Sequence, residues 1–237
     1  MPRVRDELRH AWKVTPDEAE AIQTRLAGQV VLEPLPALGE GAPRRAAGVD
    51  VGYNKDGSLA WAAAVVLERA ERSQPVFTVV ERVVVPGEPD MPYRTGLLAF
   101  REGRLTIAAL EALQTEPDLV FCDGHGVVHE RAFGLASHVG VLLGIPAVGV
   151  PKTPFHAVER QPGLERGDFV LYTKEWGAEG AAIRLRAGTK PVYVSPGHLV
   201  DLPSAIALAL AWSSGRHRVP EPLSAADTLS KLARQGT

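Results

Sequence analysis

Four acids in this chain sit where acids are expensive or useful. In "AAGVDVGY" the side chains of Ala47, Val49 and Val51 fall on one face of an extended strand, and Gly48, Asp50 and Gly52 on the other. Asp50 is therefore a carboxylate in a central apolar strand with no side chain beside it on its own face. An unpaired buried carboxylate is costly, so something positive belongs there. The residue types alone allow an arginine such as Arg101 or a metal ion equally. Asp123 closes "LVFCD", where a buried strand runs into a glycine loop. Strand carboxyl ends are where α/β sheets place ligands, although an Asp-Gly pair also simply caps a turn. Glu102 opens a helix, where acids complement the dipole. Asp227 lies in "SAAD", which has the form of a capping box with Ser224 as cap. Taken as a set, these acids can converge on one hard cation. Mg²⁺ takes one or two carboxylates and completes its shell with water and substrate phosphate.

Several neighbours could assist them. His125 and His129 flank the glycine loop after Asp123, and His129, with Arg131, suits contacting a phosphate or orienting water. His138, in an apolar stretch, reads as a satisfied core histidine. Lys152 ends the strand "AVGV" at the same sheet edge, though a lone lysine is ordinarily solvated. Cys122 reads as a small core residue. In "MPYRTGLLAFRE", Pro92 restricts the backbone before Tyr93, Arg94 and Thr95 follow, and Gly96 permits a sharp turn. That stretch can hold Tyr93 out as a short rigid finger, or pack it on the neighbouring sheet.

The bulk composition limits the function classes. A chain of 237 residues, 45% apolar and 23% charged, suits a soluble globular protein with a real core. It is read as a single catalytic domain over 1–237 with an N-terminal helical extension over about 1–30. No apolar run is long enough to cross a bilayer, and "MPRVRDELRHAWKV" lacks a signal-peptide core, so no membrane partner and a cytoplasmic location are expected. One cysteine excludes an internal disulfide framework and a cysteine-cluster zinc site. A net charge of −2 does not advertise nucleic-acid binding, so any such partner needs a local basic patch or metal ions.

The elements that must carry these residues can be read in order. Thr15 caps a helix with proline at its first position and acids in its first turn. "RRAAGVDVGY", "LAWAAAVVLE" and "PVFTVVERVVVP" read as three strands, the first two joined as a hairpin through "NKDGS". A helix is expected from about Phe100, a buried strand in "DLVFCDGHG" and a helix over "HERAFGLASHVGVLLG". Buried strands follow in "IPAVGVPK" and "KPVYVSPGH", and "DLPSAIALALAWSSG" and "LSAADTLSKLARQ" close the chain as helices. "ERQPGLERGD" reads as a surface loop. This order predicts an α/β fold: one mixed sheet, three antiparallel strands and then parallel ones, flanked by helices. That is also the skeleton of the ribonuclease-H-like fold.

Together, "GVDVGY", "PYRTGLLAFRE", "PDLVFCDGHGVVHERAFGLASHVGVLLGIPAVGVPK", "YVSPGH" and "VPEPLSAAD" resemble the blocks of the endonuclease V family, in order, over about residues 46–230. The resemblance implies a ribonuclease-H-like enzyme that nicks DNA at the second phosphodiester bond 3′ to deoxyinosine and related deaminated bases. The products would be a 3′-hydroxyl and a 5′-phosphate. It implies that Asp50, Glu102 and Asp123 bind Mg²⁺, with Mn²⁺ as a substitute, that His129 and Lys152 assist, and that Asp227 belongs to the active site. Tyr93 matches the aromatic of a wedge loop, here Pro92, Tyr93, Arg94 and Gly96. Gly126 and Gly134 are expected to line the pocket for the flipped base and read it with their amides. The chain departs from the family's usual proline at Thr95 and at Glu130, and from its alanine at Pro151. The expected partner is deoxyinosine-containing DNA bound by a monomer. An inosine-specific ribonuclease acting on RNA and a non-catalytic binder of distorted DNA are the alternatives.

Overall fold

In a computed structural model the chain is described over residues 2–71, 74–173, 177 and 179–235. Among these residues an eight-stranded sheet runs in the order β3-β2-β1-β4-β5-β8-β7-β6. Its strands are β1 (Arg45–Tyr53), β2 (Ala60–Glu71), β3 (Gln74–Gly87), β4 (Leu119–Cys122), β5 (Ala147–Gly149), β6 (Phe169–Thr173), β7 (Glu179–Ile183) and β8 (Val192–His198). Of the helices α1 (Pro16–Ala27), α2 (Leu98–Glu111), α3 (Leu135–Leu143), α4 (Leu202–Ala211) and α5 (Glu221–Gln235), the last four cover it and α1 packs against α3.

The expected mixed α/β sheet is present. β1, β2 and β3 pair antiparallel, and β4 and β5 add in parallel to β1. The parallel part stops there, because β8 runs antiparallel to β5 and the β7–β6 hairpin extends the sheet beyond it. That hairpin carries a weak pattern, with Phe169 and Leu171 largely exposed, which is why periodicity does not reveal it. Two apolar layers hold the sheet between helices. Val49, Leu110, Phe133 and Leu142 belong to one, and Phe121, Ile183, Val194 and Trp212 to the other.

Local signals account for most boundaries. Thr15 caps α1 in a reciprocal box, its hydroxyl accepting from the Glu18 amide while the Glu18 carboxylate accepts from the Thr15 amide at 2.8 Å. Gly57 (φ +75°) lets the 54–59 turn close, and Tyr53 pairs with Ala60 as a hairpin requires. Residues 159–168 carry no helix or strand, as a surface loop should.

Three helix expectations need correction. The stretch "HERAFG" is a turn, and α3 begins only at Leu135. Ala132 takes a positive φ of 50°, and Phe133 turns into the core instead of following a helical face. α5 begins at Glu221, so Ser224 is not a cap and Asp227 lies inside the helix. Glu102 likewise lies one turn into α2, whose first residue is Leu98.

Candidate active site

β1 brings Asp50 to the centre of the sheet, and its glycines decide what covers it. A Cβ on Gly48 would stand 2.1 Å from the Pro222 backbone, and one on Gly52 would stand 3.1 Å from the Ser230 carbonyl oxygen. Glycine at both positions lets α5 press its backbone onto the strand. The Ser230 hydroxyl then donates to Asp50 at 2.6 Å. The arginine alternative for Asp50 is not realised: Arg101 donates to the Met91 carbonyl at 2.9 Å and lies over the Tyr53 ring at 4.4 Å. Burial pushes the Asp50 carboxyl up to about 6, with Asp123 adding repulsion and Ser230 pulling the other way.

α2 delivers Glu102 to the same place, where Tyr53 donates its hydroxyl to the carboxylate at 2.9 Å. Burial and repulsion from Asp50 and Asp123 push Glu102 up to about 8, although Tyr53 opposes this. β4 and β5 are parallel neighbours, with Cys122 opposite Gly149. Their carboxyl ends therefore release Asp123 and Lys152 side by side, and Lys152 donates to Asp123 at 2.8 Å and to Asp227 at 3.1 Å. Lys231, one turn beyond Asp227 on α5, donates to it at 2.5 Å. Burial pulls the Lys152 ammonium down, but Asp123 and Asp227 outweigh that and hold it raised. The same two lysines hold Asp227 low against the effect of its burial.

Four carboxylates thus share one end of the sheet with two ammonium groups in contact. Both ammoniums lie on the Asp123–Asp227 side. Asp50 and Glu102 accept their side-chain hydrogen bonds from the Ser230 and Tyr53 hydroxyls and repel neighbouring acids, with Lys152 and Arg101 offsetting part of that repulsion. No group of three or more His, Cys, Asp or Glu side chains forms a ready-made metal cage among the described residues. The donor set nonetheless fits a hard divalent cation, which takes one or two carboxylate oxygens and keeps water. Asp50, Asp123 and Glu102 are the residues that would hold it.

Beside the acids opens a cavity of about 330 Å³, lined in part by Tyr93, Thr95, Gly96, Asp123, Lys152 and Phe155. Tyr93 is 68% exposed, so the finger holds it out and does not pack it on the sheet. Pro92, Arg94 and Thr95 are exposed with it, and Gly96 turns at φ +81°. Both ring nitrogens of His129 are engaged at the base of this finger. Nε2 donates to the Gly96 carbonyl at 2.8 Å, and Nδ1 accepts from the Arg131 amide at 3.2 Å. Burial pushes this imidazole down to about 4, so it is neutral near pH 7. Among the described residues, its two hydrogen bonds go to the finger and to the turn that carries it.

The glycine amides expected to read a base are already used. Gly126 donates to the Ser195 hydroxyl at 3.1 Å and Gly134 donates to the Gly126 carbonyl at 2.9 Å. A Cβ on either would meet backbone within 2.4 Å. These glycines pack the loop tightly and do not offer free donors.

A model of the endonuclease V family matches residues 24–228. The chain belongs to the endonuclease V family. An endonuclease V from Streptomyces avermitilis is 45% identical over 223 residues, spanning 94% of this chain and 93% of the relative. The crystal structure of the Streptomyces avermitilis endonuclease V, 43% identical, covers 95% of this chain and 96% of its own with a TM-score of 0.83. That of Ciona intestinalis endonuclease V, in complex with a 24mer DNA containing an inosine followed by a ribo-adenosine, is 25% identical. It covers 93% of this chain and 98% of its own with a TM-score of 0.78.

Two departures from the endonuclease V pattern, Thr95 and Pro151, lie on the cavity wall, while the Glu130 carboxylate sits 3.5 Å from Arg131 at the finger's base. Sequence reasoning missed Ser230, Tyr53 and Phe155. Ser230 stands three residues after Asp227, a helical spacing that could have suggested one face. Phe155, whose ring lies 4.9 Å from that of His129, was signalled only by an aromatic soon after Lys152.

Proposed function

We propose that this protein is a Mg²⁺-dependent enzyme that nicks DNA at the second phosphodiester bond 3′ to deoxyinosine and related deaminated bases, leaving a 3′-hydroxyl and a 5′-phosphate. One observation carries the reading: a carboxylate cluster poor in positive charge borders a cavity with an exposed aromatic at its rim. The relative solved with inosine-containing DNA supports a DNA partner. When bound, a divalent cation polarises the scissile phosphate and eases formation of hydroxide from water. Asp50, Asp123 and Glu102 would hold that ion. Lys152, fixed between Asp123 and Asp227, presents an ammonium where negative charge develops. The cavity would take the flipped base, with Phe155 as a ring to stack on, and Tyr93 would fill the gap left in the duplex.

Nicking of a duplex with a single inosine, with and without Mg²⁺ and beside matched inosine RNA, tests this. Metal-dependent cutting of the DNA is expected. Preferential cutting of the RNA would make the enzyme a ribonuclease, and binding without cutting would make it a binder of distorted DNA.

Two further outcomes are expected. Tyr93→Ala lowers nicking of the inosine duplex by about tenfold or more, since unstacking a base step costs a few kcal/mol. It leaves nicking of an inosine single strand nearly unchanged. An equal loss on both substrates would show that the tyrosine has no wedge role. Affinity for duplex falls steeply with salt despite the net charge of −2, each phosphate contact contributing about −0.9 to the log–log slope. Arg101, Arg131, Lys152, Arg216 and Arg218 are the candidate contacts. A flat salt dependence would argue against a nucleic-acid substrate.

A further inference from the structure

The finger that carries Tyr93 is tied down from an unexpected direction. Gln23, in the middle of α1, is 0% exposed. Its side-chain amide donates to the Gly96 carbonyl at 2.9 Å and to the Phe133 carbonyl at 3.1 Å, and its oxygen accepts from Arg131 Nε at 2.8 Å. Gly96 therefore receives three donors on one carbonyl: Gln23, His129 at 2.8 Å and Arg131 at 3.3 Å. A Cβ at Gly96 would come within 2.7 Å of the Arg131 guanidinium, so that side chain lies directly over the turn.

α1 does not need a buried amide in order to dock. Ala19 and Leu26 are buried on the same helix and supply apolar contact. Burying a glutamine is costly unless every polar atom is satisfied, and here each is satisfied by the finger, by the turn before α3 or by the arginine that bridges them. α1, the 91–97 loop and the 129–134 turn are far apart in sequence, and the Gln23 amide joins all three at once, beside the direct contacts of His129 and Arg131 with Gly96 and of Arg131 with Glu20. Gln23 also lies on the cavity wall.

We propose that Gln23 is a positioning residue for lesion recognition: it locks the base of the wedge finger through the Gly96 carbonyl and makes α1 part of the device that admits the flipped base. The inference rests on the reading of this site as a wedge and base pocket. A finger fixed at its base holds Tyr93 ready for insertion, and a loose one must be ordered during each encounter with DNA, which weakens binding of the duplex transition state.

The test uses the full chain with Gln23→Met, which keeps the volume and removes all three hydrogen bonds, and Gln23→Glu. The latter keeps the acceptor for Arg131 and removes the donors to Gly96 and Phe133. In the free protein, amide exchange across residues 91–97 should rise about tenfold or more in both variants while β1 and β4 stay protected. On DNA, kcat/KM for an inosine duplex should fall about ten- to thirtyfold and that for an inosine single strand less than about threefold. Gln23→Glu carries the test if Gln23→Met does not fold. Unchanged exchange at 91–97 in a folded variant would overturn the latch, as would equal losses on both substrates accompanied by a lower melting temperature. A wild-type protein that cuts no inosine substrate would instead remove the functional reading, and the exchange measurement would still decide whether the latch exists.

Discussion

Asp123→Asn should reduce the proposed Mg²⁺-dependent nicking by at least roughly a thousandfold while the melting temperature falls by no more than a few degrees. The large effect follows from where Asp123 stands. It closes β4 at the strand end, shares Lys152 with Asp227 at 2.8 and 3.1 Å, and repels both Asp50 and Glu102. An oxygen ligand lost from a catalytic ion forfeits several kcal/mol of transition-state charge stabilisation. The small structural effect follows from the same contacts. Lys152 keeps Asp227 as partner and its side chain is 37% exposed, so the broken pair is partly solvated and contributes about 1 kcal/mol or less. Asp50→Asn should behave alike, since Ser230 still has an oxygen to donate to. Gel assays of nicking, calorimetric Mg²⁺ titration and thermal melts on the same preparations separate the two effects. Ordinary nicking by either variant would show that these acids are structural, and a melting temperature that collapses would point the same way.

Glu102→Gln should lose activity and yet stabilise the metal-free protein at alkaline pH. The folded protein holds this carboxyl at about 8 against an ordinary 4.5. The folded state therefore keeps a proton that the unfolded chain gives up. Its contribution is fully present below about 4.5 and is lost as pH rises through about 8, where the carboxylate must be buried charged. The neutral amide of the Glu102→Gln variant would carry no such penalty and still accept from the Tyr53 hydroxyl. The gap in stability should grow from nothing near pH 4 to roughly 2–4 kcal/mol at pH 8.5, equivalent to a rise in melting temperature of about 5–12 °C. On the proposed function, Mg²⁺ would bind more tightly to the full carboxylate set than to the Glu102→Gln variant, so saturating Mg²⁺ should narrow the gap. Melting curves between pH 4 and 9, with Mg²⁺ and with chelator, give the answer. A variant less stable than wild type at every pH would mean that the carboxylate is already neutralised in the free protein.

Both expectations come from a site that strand geometry made partly legible. The alternation in "AAGVDVGY" requires Asp50 to share its face with two glycines, and the end of "LVFC" requires Asp123 to leave the sheet at its carboxyl edge. Those are local facts, because a strand's period and end are written in a handful of consecutive residues. Thr15 and Glu18, and the turn at Gly57, were readable for the same reason. Pro92 and Gly96 marked a finger, but not whether Tyr93 stood out or packed down.

Tertiary structure alone decided which neighbour answers each of these residues. Asp50 had an arginine or a metal as its sequence-level partners, and the contact it makes is with Ser230, 180 positions later, because two glycines admit α5. Glu102 is held by Tyr53 from β1 and Lys152 by an acid from the last helix. His129 meets the Gly96 carbonyl 33 positions earlier, a contact no local pattern announced, and "HERAFG" lost its helix to the turn that lets Phe133 reach the core. Each contact joins residues separated by tens to well over a hundred positions, and no spacing rule reaches that far. The sequence by itself determined which side chains would be costly to bury and on which strand face or end they would lie. Packing of helices on the sheet decided what neutralises them, since that depends on how closely two backbones approach.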